Sequence, residues 1–146
     1  MKILLLHNRY RQYGGEDTVF DNETRLLEKN GYTVDKILFS NKPPRNILLY
    51  LLQPFSMIFS ISSFIKLFKH INSFKPDILH IHNIFYTASP SVLWCAYILR
   101  VPVVITIHNF RLLCPGALFL KSNETCELCR YKAFPFPGIR YRCFKN

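Results

Sequence analysis

The chain has 146 residues and a formal net charge of +10, and 49% of its residues are hydrophobic. This length suits one domain with a buried core or one part of a larger protein, and the apolar content excludes a disordered chain. The positive charge favours either an anionic partner or simply a soluble basic surface, and it does not choose between them.

The first predicted element is a strand at residues 2–7, an uninterrupted aliphatic run that ends in His7. Such a run is typical of a parallel strand that is buried on both faces. It is too short for the apolar part of a signal peptide. We therefore expect no export signal, a cytoplasmic location and reduced cysteines.

Helical periods and apolar runs alternate along the chain after this strand. The predicted elements are a helix over 16–30, a strand over 32–39, helical segments over 46–53 and 56–73, a strand over 77–82, a helix over 88–100 and a strand over 102–107. In the first helix we expect Val19, Leu26 and Leu27 on the buried face. The alternation predicts an α/β fold, a Rossmann-like doubly wound parallel sheet with strand order 2-1-3-4.

Residues 46–65 carry no charge and are long enough to cross a bilayer on length alone. Pro54 would break such a helix in its middle, so a membrane span is disfavoured. We expect instead a core helix, with a surface helix that touches lipid as the alternative. Its expected buried stripe consists of Ile58, Ile61, Ile65 and Phe68.

The composition changes near residue 113. We predict a Rossmann-like domain over 1–113 and a basic, cysteine-rich segment over 114–146 that ends without a closing helix or strand. Four of its cysteines have the spacing C-x11-C-x2-C-x13-C, at Cys114, Cys126, Cys129 and Cys143. They either close a tetrahedral structural zinc site or remain four reduced thiols. Cys95 is expected in the core.

Two predicted strands end in the same dipeptide, His82-Asn83 and His108-Asn109. Ligands of open α/β sheets bind at the carboxyl edge of the strands, so these residues are candidates for a site, as is His7. Gly14 and Gly15 would let a ligand approach the backbone at a helix N-terminus, which favours an anion, although a plain turn is the alternative.

Several segments resemble the amino-terminal half of the family 4 glycosyltransferases. They are residues 1–8, the Tyr-Gly-Gly-Glu-Asp of 13–17, the Lys-Pro-Asp-Ile-Leu-His-Ile-His-Asn of 75–83 and the Val-Val-Ile-Thr-Ile-His-Asn-Phe-Arg-Leu-Leu-Cys-Pro of 103–115, and residues 137–144 resemble a subset of that family. The resemblance implies the acceptor-side domain of a two-domain GT-B enzyme, which transfers a sugar from a nucleotide-sugar donor to an acceptor with retention. The nucleotide-binding second domain is absent from this sequence, so we expect no activity from the chain alone.

The resemblance also implies roles for individual residues. Gly14 and Gly15 would lie against the donor diphosphate, and His108 would face the donor sugar as the catalytic residue. His82 and Asn83 match the family's earlier strand end more loosely. Together with Asn109, and with His7 from its place at the end of the first strand, they are the further candidates for binding donor or acceptor. The chemistry requires no cofactor, and zinc would be structural.

The acceptor implied is a lipid-linked or polysaccharide glycan, and the basic surface would contact an anionic membrane at its inner face. Candidate contacts are Arg9, Arg11, Arg45, Lys66 and Lys69. In this interpretation no nucleic acid is bound. Two alternatives remain: a non-catalytic basic zinc module that binds nucleic acid, and an inactive remnant of a gene.

Overall fold

The computed structural model describes residues 1–10, 12–41, 55–85 and 87–143. It divides the chain into two compact units, Met1–Thr106 and Ile107–Asn146. The division falls earlier than the predicted boundary after residue 113. The last backbone hydrogen bond that the structure records to the sheet runs from Thr106 N–H to the Ile81 carbonyl, so the sheet ends there.

The first unit is built on a sheet of four parallel strands in the order β2-β1-β3-β4, which confirms the predicted fold class and order. The strands are β1 (Lys2–Arg9), β2 (Thr33–Ser40), β3 (Ile78–Asn83) and β4 (Val103–Ile105). The helices between them are α1 (Gly15–Lys29), α2 (Ile61–Phe74) and α3 (Ser91–Ile98). The predicted helical segment over 46–53 lies outside the described residues.

The two faces of the sheet have different cores, because successive side chains of a strand point to opposite faces. The α2 and α3 face is a large apolar cluster that includes Leu4, Leu6, Leu79 and Ile81. The α1 face buries only Ile3, Leu5 and Phe20 as its apolar centre. The positions on this face nearest the ends of β1 and β3 carry His7, His80 and His82, so the face has a polar interior near the carboxyl edge.

The buried face of α1 differs from the predicted one. Asp17, Phe20 and Thr24 are buried, whereas Val19 and Leu26 are 43% and 59% exposed. Of the three residues predicted to be buried, Leu27 is partly buried and packs against this core. The two polar residues tolerate burial because their oxygen atoms are hydrogen-bonded. Thr24 donates to the Phe20 carbonyl, and the Asp17 carboxylate accepts from the Gly14 N–H and lies against His7. The pattern of apolar residues alone therefore does not predict which face of α1 is buried.

The predicted stripe of α2 is also wrong. Ile58, just before the helix, and Ile61, Ile65 and Phe68 are all exposed, and the helix buries Ser63, Leu67 and Ile71 instead. The apolar side chains of α2 cover about half of its circumference, which is wider than the part that packs against the core. Ser63 can be buried because it donates to the Thr87 carbonyl at 2.7 Å. No described helix is long and apolar enough to cross a membrane.

The second unit is small and rich in turns. It contains a hairpin of β5 (Leu120–Lys121) and β6 (Glu124–Thr125) and one short helix, α4 (Phe136–Arg140). The two hairpin residues, Ser122 and Asn123, both have positive φ, as a type I′ turn requires.

Candidate functional site

The polar interior of the first unit lies where β1 and β3 end, beneath the first turns of α1. His7 comes from β1, and His80, His82 and Asn83 come from β3. The β1–β3 register shifts between Leu6 and His7, so His7 pairs with Asn83. Three of the predicted site residues, His7, His82 and Asn83, are therefore brought together at the edge where ligands of such sheets bind.

His7 connects β1 to the N-terminus of α1. Its Nε2 lies 3.2 Å from Oδ1 of the buried Asp17, and the other carboxylate oxygen, Oδ2, accepts from the Gly14 N–H at 2.9 Å. Arg9 Nε lies 3.5 Å from the same Oδ1. The Asp17 carboxylate thus contacts the N-terminus of α1, the end of β1 and the Arg9 side chain at the same time.

Burial lowers the pKa of His7 below its ordinary value of 6.5, although the hydrogen bond and the negative charge of Asp17 oppose that shift. The His7 ring is fully buried, stacks on Phe20 at 5.0 Å between centroids, and has no hydrogen-bond partner for Nδ1 among the described residues. A neutral imidazole that donates from Nε2 to Asp17 fits these surroundings, because the unprotonated Nδ1 is the atom left without a partner.

Asn83 ties the end of β3 to both neighbouring elements. Its Nδ2 donates to the Asn8 carbonyl and to Glu16 Oε2, each at 3.2 Å, and its Oδ1 accepts from the Phe85 N–H at 2.9 Å. Asn8 in turn donates from Nδ2 to Asn41 and to the Phe85 carbonyl. Asn83 therefore fixes the loop that leaves the sheet and also holds the first acidic side chain of α1.

His80 and His82 share one carboxylate, that of Glu23 on α1. His80 Nδ1 lies 3.0 Å from Glu23 Oε1, and His82 Nε2 lies 3.4 Å from Oε2. His80 also reaches Thr106 through Nε2 at 2.8 Å. Its place in the alternation of a buried strand predicts that His80 is a packed core histidine. It is buried, at 9% exposure, but its ring is held by polar partners.

Gly14 and Gly15 begin α1 at the surface of this region. Gly14 has an extended backbone, with φ of −140°, and a Cβ added at either glycine would meet nothing within 4 Å. Neither the backbone conformation nor protein neighbours require glycine at these positions. The open space over the helix N-terminus is consistent with the predicted close approach of a ligand to the backbone.

His108 and Asn109 belong to the second unit. His108 is half-buried, and Asn109 Oδ1 accepts from the Arg111 N–H at 3.0 Å. Because both histidines lie at the carboxyl ends of predicted parallel strands, we expect His108 to meet Gly14, Gly15 and His82 at one edge, and this stays a prediction.

The four clustered cysteines of the second unit are free thiols that line one pocket. Among the described residues, no three of their sulfur atoms come within 4.8 Å of one another. The zinc site predicted for Cys114, Cys126, Cys129 and Cys143 therefore stays a prediction. Cys95 is buried in the first unit, as expected, and burial raises the pKa of its thiol to about 11.

The basic residues proposed for membrane contact differ in their surroundings. Arg9 binds Asp17 and Asp21. Lys66 donates to the Leu38 carbonyl at 2.8 Å and covers the Phe39 ring, whereas Lys69 is exposed. Arg11 and Arg45 lie outside the described residues.

The sequence analysis did not predict Asp17, Glu23 and Thr106 as part of the polar interior. One signal was present: Asp17, Phe20, Glu23 and Thr24 fall at helical spacing on one face, opposite a strand that carries two histidines. Acidic residues on the helix face that covers such a strand would be expected to bind the imidazoles.

Comparison with known proteins gives one family. The model of Glycosyltransferase Family 4 matches residues 13–133, which is more than half of the chain. No curated protein and no solved structure gives a significant match. The matched range includes the glycine loop, the ends of β3 and β4, and three of the four clustered cysteines.

Proposed function

We propose that this chain, which belongs to glycosyltransferase family 4, is the acceptor-side domain of an enzyme that transfers a sugar from a nucleotide-sugar to an acceptor with retention at the anomeric carbon. The observation that carries the proposal is the open glycine start of α1 beside the polar ends of β1 and β3. The family match by itself supports only the fold and the general class of reaction. The polar edge also offers a surface where an anionic ligand with many hydroxyl groups could bind.

The donor diphosphate is proposed to lie over Gly14 and Gly15. Backbone N–H groups in the first turn of a helix have no intrahelical acceptor, and the helix dipole favours negative charge there. The carboxylates of Glu16 and Asp17 would repel a phosphate. However, Glu16 accepts from Asn83, and Asp17 accepts from Gly14 and lies against Arg9, so both negative charges have partners.

His7 and His82 are proposed to position this loop rather than to touch substrate, since both side chains are fully buried. His7 holds Asp17, and His82 holds Glu23, so each strand end is connected to a different turn of α1. His108, which is half-buried in the second unit, is the residue proposed to contact the donor sugar. A departing nucleoside diphosphate gains negative charge, which the helix N-terminus would stabilise.

The acceptor is proposed to be lipid-linked, and the protein to lie against an anionic membrane. The exposed stripe of Ile61, Ile65 and Phe68 on α2 supports this, because exposed apolar side chains on one helix face insert between lipid headgroups. Lys69 is exposed on the same helix, and the net charge of +10 would add attraction to acidic lipids.

A transfer assay tests the proposal. The chain is incubated with labelled nucleotide-sugars and a membrane lipid extract, alone and with the separately produced nucleotide-binding half of a family 4 enzyme. We expect label in the lipid fraction only when both halves are present. We also expect saturable binding of lipid-linked glycan by the chain alone. Absence of both transfer and binding would contradict the proposal.

Gly14→Ala makes the test specific to the glycine loop. The added methyl has open space, so the melting temperature should not change, but kcat/KM for the donor should fall by about 10- to 100-fold because the diphosphate is displaced. The control is Lys29→Ala, an exposed substitution in the last turn of the same helix, at the end away from the glycine loop. Equal activity of Gly14→Ala and the wild type would exclude the proposed approach of the diphosphate.

A further inference from the structure

Three potential metal ligands meet between α1 and β3. His80 and His82 are two residues apart on one strand, so they share a face of the sheet, and their ring centroids are 4.6 Å apart. Glu23 of α1 faces both of them. One ligand atom from each of the three residues lies within 4.8 Å of the other two.

The donor set indicates the class of cation. Two imidazole nitrogens and one carboxylate are ligands that Zn²⁺ binds, with a fourth position left to water. Mg²⁺ and Ca²⁺ prefer sets made of oxygen atoms, so they suit this group poorly. The set therefore favours a divalent transition-metal ion.

A hydrogen bond outside the group suits such a site. Thr106 Oγ1 lies 2.8 Å from His80 Nε2, the ring nitrogen that does not face Glu23. Histidines that bind metals usually donate their other N–H to an oxygen atom, which fixes the tautomer and the ring orientation. With Thr106 as acceptor, His80 Nδ1 carries the lone pair toward the place where a cation would lie.

The side chains of Glu23, His80 and His82 are packed among neighbours, but an ion from solvent can still reach them through Glu23. The His82 side chain is fully buried, and the Phe20 ring stands edge-on to it at 5.2 Å. The Glu23 side chain is 28% exposed. The two histidines lie on a rigid strand, and the carboxylate is at the solvent side, from which an ion could enter.

We infer that Glu23, His80 and His82 bind a divalent transition-metal ion of the Zn²⁺ type, which joins α1 to β3. Binding to the folded chain alone would raise its stability by mass action. The inference is independent of the proposed sugar transfer, since it needs neither donor nor acceptor.

The experiment measures zinc binding by the metal-free full chain, with calorimetry for stoichiometry and affinity and with thermal unfolding for stability. Variants Glu23→Gln and His82→Asn should each bind one equivalent fewer than the wild type and lose part of the zinc-induced rise in melting temperature. Thr106→Val should lower the zinc affinity of this site by about 10- to 100-fold, because it removes only the hydrogen bond from His80 to Thr106.

His70→Gln is the matched control. His70 also contacts a carboxylate, that of Asp35 at 2.7 Å, but no third ligand joins this pair among the described residues. It should keep the full stoichiometry and the full rise in melting temperature. Binding to the cysteines is separated by cobalt spectra, because thiolate ligands give an intense charge-transfer band that nitrogen and oxygen ligands lack.

Unchanged zinc stoichiometry and affinity in both Glu23→Gln and His82→Asn would overturn the inference. So would a cobalt spectrum of the wild type in which every bound equivalent has thiolate ligands. If His82→Asn fails to fold, Glu23→Gln decides the outcome, since its side chain is partly exposed and its amide keeps the shape of the carboxylate.

Discussion

Three histidines at the ends of two strands have different environments although all of them are buried. His7 has one carboxylate and an aromatic ring as neighbours, while His80 and His82 share a carboxylate. A buried imidazole without a carboxylate would pay a large desolvation cost on protonation. The carboxylates of α1 therefore provide the negative charge that faces these buried imidazoles.

The lowered pKa of His7 predicts that acid destabilises the first unit. The unfolded chain binds a proton at this residue near pH 6.5, whereas the folded chain binds it only at lower pH, so stability is complete above 6.5 and falls below it. This one group contributes at most about 1.4 kcal/mol per pH unit between its two pKa values. Denaturant unfolding of the wild type and of His7→Gln between pH 7.5 and 5, with a chelator present, measures it.

We expect the free energy of unfolding to fall more steeply with acidification in the wild type than in His7→Gln. The groups facing His7, namely Asp17, Glu16, Arg9 and His82, are present in both proteins, so the difference between the two curves reports His7. Parallel curves would show that His7 has the same pKa in the folded and unfolded chain.

At the scale of elements, the apolar face of α2 is wider than the part that the core covers. Leu67 and Ile71 pack into the core, whereas Ile61, Ile65 and Phe68, about a quarter of a turn further round the helix, are exposed. A helix of a soluble protein usually turns its apolar stripe toward the core. The exposed part of this face is what the core does not explain, and a lipid surface would explain it.

Aspartate substitutions on the exposed stripe test this. Ile61→Asp with Ile65→Asp should reduce sedimentation with phosphatidylglycerol-containing vesicles by at least tenfold, because it removes inserted side chains and adds charge that acidic lipids repel. The melting temperature should change little, since both positions are exposed. Neutral phosphatidylcholine vesicles should bind the wild type more weakly than the acidic ones.

Val19→Asp with Leu26→Asp is the control, since both residues are exposed on another helix and the change adds the same two negative charges. It should retain most of the vesicle binding. If it loses as much binding as the α2 variant, net charge alone controls the attraction and the stripe has no specific role.

Strand order was predictable because apolar runs and helical periods are local, and right-handed connections then leave few topologies. The buried faces of α1 and α2 were not predictable from apolarity. Asp17 and Ser63 are buried because partners distant in sequence satisfy them, His7 for one and the Thr87 carbonyl for the other. The histidines at the strand ends were found from sequence, but Glu23 required the packing of α1 on β3.

At the scale of the whole molecule, the two units differ in the number and the surroundings of their cysteines. Cys95 is the only cysteine in the first unit, and it is buried. Cys114, Cys126, Cys129 and Cys143 line one pocket in the second unit, where few apolar side chains are buried. A turn-rich unit with so small a core commonly depends on a metal for its stability.

The last prediction concerns these thiols. Of the four pocket cysteines in metal-free protein, the half-buried Cys126, Cys129 and Cys143 should react with a thiol reagent at neutral pH, and the buried Cys114 should react more slowly. Cys95 should also react slowly, because burial raises its pKa to about 11. Zinc should protect all four together, since a tetrahedral site needs every thiolate. Cys129→Ser should abolish most of this protection, whereas Cys95→Ala and His82→Asn should leave it intact. Equal reactivity of the thiols with and without zinc would mean that they form no metal site, and the second unit would then have to be held by its hairpin, its turns and the packing of α4 alone.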